Sequence, residues 1–89
     1  MKVYLVGDQG PEHNSIISIH KTKEGAIKVF QARRMKLLEE AKEGLKREAS
    51  GYMKEMYETI VKNLNEKDPD KIDNYPQETP YIREMNVQE

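Results

Sequence analysis

The sequence has no cysteine, no tryptophan and one phenylalanine, Phe30. Without cysteine, disulfides and thiolate metal sites are excluded. Two histidines, His13 and His20, are too few for a histidine metal site. The longest apolar run is Val3-Tyr4-Leu5-Val6, far short of the roughly 20 residues that cross a bilayer. The N-terminus carries no basic segment followed by a long apolar stretch, and so does not read as a signal peptide. These absences point to a cytoplasmic protein with no metal, no cofactor and no membrane partner.

What is present is one small domain, residues 1–89. A chain this short buries only about 60% of its unfolded surface, so its core is marginal unless something supports it. With disulfides and metals gone, the support left is self-association into a dimer or larger oligomer. Net charge is −1, with two basic and two acidic residues in 1–22, eleven and eight in 23–67, and two and six in 68–89. A basic surplus that small is screened within about 10 Å, and DNA binding asks for a denser stripe.

Lys2 to Val6 is rich in β-formers and alternates, with Val3 and Leu5 on one face and Lys2 and Tyr4 on the other. Gly7-Asp8-Gln9-Gly10-Pro11 reads as a turn. Ser15 to His20 follows as a second strand, Ile17 and Ile19 opposing Ile16, Ser18 and His20. Residues 1–21 thus form a β-hairpin.

Thr22 is placed to cap a helix, with Glu24 favourable in its first turn. From there Ile27, Phe30, Leu38, Ala41, Leu45, Ala49, Tyr52, Met56, Ile60 and Leu64 recur at three- and four-residue steps, and a trio of positions repeats every eleven residues. An eleven-residue period keeps one seam on a nearly straight helix. Arg34 is its one clear polar member. Residues 22–66 are therefore helical, 67–80 a polar linker and 81–87 a third strand, alternating Tyr81, Arg83, Met85, Val87 against Ile82, Glu84, Asn86.

A single 44-residue helix would extend about 66 Å, and a stretched linker of fourteen residues spans at most about 50 Å. Either the helix breaks at Ser50-Gly51 and folds back as a hairpin, or it stays whole and the third strand pairs with a neighbouring subunit. The expected fold is α+β: a three-stranded antiparallel sheet, ββ-α(α)-β, packed on a long helix or helical hairpin.

Motifs that carry chemistry are few. Asp68-Pro-Asp70-Lys-Ile-Asp73 lacks the glycine of a calcium loop and has Thr79 where its glutamate belongs. Gly7-Asp8-Gln9-Gly10 opens no helix and lacks the phosphate-loop lysine. His20 near Ser18 and Tyr4 could do acid–base work, yet no cysteine nucleophile and no positioned carboxylate accompany it, so no enzyme is expected. Arg33, Arg34, Lys28 and Lys36 are the most suggestive group. Arg34 on an apolar seam either makes a structural contact or clamps an anion at a subunit interface. Arg83 is similar, and an outer sheet face of Tyr4 and His20 with Tyr81 and Arg83 is available for a partner. The helical positions that would join subunits are Leu38, Leu45, Tyr52, Met56, Tyr57, Ile60 and Leu64.

The opening Lys2-Val3-Tyr4-Leu5-Val6, the isoleucine-rich second strand, Thr22-Lys-Glu-Gly-Ala26 and the closing Tyr81-Ile-Arg-Glu-Met85 resemble small uncharacterised ββαβ proteins of bacteriophage and Gram-positive genomes, over residues 1–32 and 80–88. The helical extension 33–66 departs from that short form. The resemblance implies a phage-derived accessory protein, in the host cytoplasm, that binds rather than catalyses. The leading expectation is a non-enzymatic protein that inhibits or modulates a host or antiviral-defence component through an oligomeric helical surface. The alternative is an oligomeric sponge that sequesters a nucleotide immune signal through interface arginines. A third, nucleic-acid binding through Lys28, Arg33 and Lys36, is disfavoured by the balanced charge.

Overall fold

The computed structural model describes residues 1–10, 14–47, 51–73 and 78–88. Strands β1 (Lys2–Gln9) and β2 (Asn14–His20) are followed by helices α1 (Lys23–Arg47) and α2 (Gly51–Leu64), a 3₁₀ turn at Pro69–Lys71 and strand β3 (Thr79–Asn86). The three strands form one antiparallel sheet in the order β2-β1-β3. The fold is the expected α+β arrangement with two helices.

Strand β1 is longer than the turn residues suggested and runs on through Gly7, Asp8 and Gln9. Gly7 and Asp8 each have a tertiary reason to stay in the ladder. A Cβ at Gly7 would sit 2.6 Å from both the Tyr81 ring and the Ser15 carbonyl oxygen, so only glycine lets β2 and Tyr81 approach. Asp8 is held by Arg33 of α1. His13 and the tip of the hairpin lie outside the described residues.

Thr22 caps α1 as its sequence position predicts: its Oγ1 accepts from the Gly25 amide at 3.1 Å. The buried face of α1 is Ala26, Phe30, Arg34, Leu37, Leu38, Ala41 and Gly44. Ile27 and Leu45 of the predicted seam are only half-buried. The seam ends on Gly44 because Tyr57 of α2 lies directly over it, in space that a Cβ would occupy.

The helical region does not run through. Helix α1 ends at Arg47 and α2 begins at Gly51, which takes a φ of 71°, the left-handed region open to glycine. Ala49 and Ser50 lie outside the described residues. Helix α2 packs back on α1, and β3 pairs with β1 of its own chain. Of the two arrangements the sequence leaves open, this is the helical hairpin: once α2 folds back, its C-terminus lies within reach of the sheet.

The core is Val6, Ala26, Phe30, Leu37, Leu38, Leu64 and Ile72, with Tyr4, Val29, Ile60, Val61 and Ile82 against it. Ile72 comes from the segment read as polar linker. Asn63 holds that segment to α2, donating from Nδ2 to the Asp73 carbonyl (2.7 Å) and accepting from the Asp73 amide (3.0 Å). The molecule measures 53 × 23 × 19 Å with a radius of gyration of 14.4 Å, against about 12 Å for a compact domain this size. An elongated chain leaves more surface uncovered.

Candidate binding surface

Arg34 is buried, at 5% exposure. Its Nη1 donates to the Leu64 carbonyl at 2.6 Å, its Nε to Gln31 Oε1 at 2.7 Å, and its Nη2 touches Met35 Sδ at 3.4 Å. Leu64 ends α2, so its carbonyl is one of the helix's orphan acceptors, and a cation is favoured there. Gln31 Nε2 donates onward to the Lys67 carbonyl at 2.9 Å. The guanidinium is thus engaged inside the fold as a helix cap, which is the structural contact of the two readings of Arg34.

Arg33 reaches the other way, from α1 to β1 and the segment before β3. Its Nε meets Asp8 Oδ2 at 2.7 Å and its Nη2 meets Glu78 Oε1 at 3.3 Å. Two carboxylates answer its charge. Lys28 and Lys36 are exposed, and Lys36 shares its surroundings with Glu39, Glu40 and Glu43. Of the predicted basic group, Arg33 and Lys36 thus have acidic neighbours and Arg34 is buried.

Ser18 Oγ and His20 Nε2 are 2.7 Å apart, the pairing a nucleophile and base would need. The remaining ring nitrogen, Nδ1, lies beside Gly25 at the start of α1. Among the described residues no carboxylate is shown orienting that ring, and no group of three or more potential metal ligands exists. The pair links two side chains on one face of β2.

The structure moves Tyr4 and His20 to the other face of the sheet and leaves Tyr81 and Arg83 on the outer one. Tyr4, Val6 and Asp8 face α1, and Ser18 and His20, paired with Val6 and Tyr4, share that face. Tyr4 and His20 are therefore covered by the helix and drop out of the outer surface. Register shifts between Val6 and Gly7, leaving Ile17 as the extra residue of a β-bulge. The bulge brings Ile16 to the face of Ile19, which strict alternation had separated.

The outer face consequently carries Val3, Leu5 and Gly7 of β1, Ile16 and Ile19 of β2, and Tyr81, Arg83 and Met85 of β3. Met1 and Val87 extend it, joined by a 2.7 Å hydrogen bond from the Val87 amide to the Met1 carbonyl. Tyr81 lies across Gly7 and donates to Asn14 Oδ1, tying β3 to β2 over the central strand. Arg83 sits 5.0 Å from the centre of the Tyr81 ring, a cation–π contact. Ile16, Ile19 and Met85 remain 60%, 62% and 45% exposed.

The helical interface candidates divide. Leu38 and Leu64 belong to the chain's own core and offer a neighbour nothing. Leu45, Met56, Tyr57 and Ile60 are half-buried, Tyr57 against Gly44 of α1 and Ile60 against the core, while Tyr52 stands in solvent at 79% exposure. The fold-back of α2 covers part of the predicted apolar ridge and leaves Tyr52 and Met53 exposed. Gln31, Asn63 and the outward isoleucines were not anticipated; the first two act on backbone carbonyls and amides, which no side-chain pattern announces.

No family model, curated protein or solved structure matches this chain.

Proposed function

We propose that this chain is a non-enzymatic binding protein that works by contact through the outer face of its sheet. The observation that carries this reading is the exposure of Ile16, Ile19 and Met85 on a face where the charged side chain of Arg83 is stacked on Tyr81. Large apolar side chains grouped on one exposed face, with no described segment of the chain over them, mark an interaction site. The incomplete catalytic set around His20 supports binding over chemistry. The resemblance of residues 1–32 and 80–88 to small phage proteins supports a host or antiviral-defence protein as the target class.

A photo-crosslinking side chain at position 19 tests this in a bacterial host, with position 28 on exposed α1 surface as the control. The reading predicts protein adducts from position 19 and none from position 28. Absence of any protein adduct at position 19 contradicts it.

A further inference from the structure

We propose that the occupant of the outer sheet face is the same face of a second copy, packed across a two-fold axis into a helix–sheet–sheet–helix dimer. This rests on the reading above that the outer face is the contact surface, and it seats a second copy there in place of a host protein. A two-fold contact sets each surface patch against itself or its symmetry mate, so the face must tolerate its own chemistry. It does. Its side chains are almost all uncharged, and the guanidinium of Arg83 is parked over the Tyr81 ring at 5.0 Å. The exposed face of α2 differs: Tyr52 and Met53 there alternate with Lys54, Glu55 and Glu58.

Relief also suits a copy. Ile16 and Ile19 stand up along one side and Met85 along the other, while Leu5 between them is sunk to 7% exposure. A ridge of isoleucines from one copy has the shallow centre of the other to enter. The strands are seven to eight residues long. Spaced about 4.8 Å apart, they cover roughly 14 by 25 Å, on the order of 350 Å² in projection. With side-chain relief, two such faces remove on the order of 1,000 Å² of accessible surface, near the lower bound for a specific interface.

Light scattering of the intact protein across micromolar concentrations tests this, against a single-chain mass of 10.4 kDa. The expected result is a concentration-dependent rise to twice that mass. Ile16→Lys with Ile19→Lys should weaken association by more than about 100-fold, through like charges placed opposite one another. Tyr52→Lys on α2 should leave it unchanged. If the double variant does not fold, spin labels at Ile19→Cys and Lys28→Cys, each the sole cysteine of its chain, give the answer from distances. A short separation between copies at position 19 and a long one at position 28 supports the proposal.

A monomer at every concentration overturns it, as does a dimer sensitive only to Tyr52→Lys. The crosslinking result separates the two levels. An adduct of two identical chains agrees with the dimer. An adduct only to a different protein removes the dimer and leaves the binding reading standing.

Discussion

Arg34 Nη1 lies 2.6 Å from the carbonyl oxygen of Leu64, thirty residues further along the chain. The contact fixes the end of α2 against the middle of α1, and Gln31 relays it to the Lys67 carbonyl. The residue that looked most like a ligand clamp is therefore the fastening of the helical hairpin.

Arg34→Met should cost about 2–3 kcal/mol, since it strips a charged donor from a buried carbonyl and from Gln31. Denaturant unfolding measures the loss. Arg34→Lys should recover little, because an ammonium cannot span both acceptors in the guanidinium's planar geometry. Added phosphate or nucleotide should leave the wild-type midpoint unmoved; a ligand-dependent increase that Arg34→Met abolishes would restore the clamp.

Gly44 and Tyr57 form a second fastening. Gly44→Ala drives a methyl into the Tyr57 ring, and overpacking of this kind costs about 1–3 kcal/mol. Tyr57→Ala should relieve much of that cost. A double-mutant cycle should show coupling of at least about 0.5 kcal/mol, and simple additivity would mean that the helices do not meet there.

Gly7→Ala meets Tyr81 and the backbone of Ser15 together, and the backbone cannot move aside without opening β2. It should destabilise more than Gly44→Ala. The indole-free sequence leaves tyrosine as the optical reporter; loss of the Tyr81–Asn14 hydrogen bond should appear in near-ultraviolet dichroism before global unfolding.

These tests follow from particular residues, and they differ in how far the sequence announced them. The Thr22 cap, the alternation of Tyr81, Arg83, Met85 and Val87, and the sheet-plus-helix class were legible, because capping and periodicity are local. Which face of the sheet meets the helix was not. A period of two sets relative phase only, and Val6, beyond the strand's obvious centre, decides it by packing with Phe30. The bulge at Ile17 then reverses the phase of Ile16, and no composition rule marks a bulge there. Arg34 was recognised as anomalous, but its acceptor is a backbone carbonyl, invisible to any search for a carboxylate partner.

Lys2 offers a pH test. Its hydrogen bond to Glu84, at 3.2 Å, and the attraction of that carboxylate hold its ammonium above the usual lysine pKa, with a smaller contribution from Tyr4. A raised folded-state pKa means that the stabilisation is fully present at neutral pH and is lost as pH climbs through the folded value. Both groups are exposed, so the effect on stability is small. Glu84→Gln should lower the Lys2 titration midpoint toward that of free lysine, read by side-chain NMR; an unchanged midpoint would contradict the pairing.

The most direct test of the outer sheet face as the contact surface is methyl NMR with a soluble paramagnetic probe. The Ile16 and Ile19 methyls should be strongly attenuated at low concentration and become protected as the concentration rises, while the Met53 methyl stays accessible throughout. Methyls on Ile16 and Ile19 that remain open to the probe at every concentration, alone and with host extract present, would contradict the account.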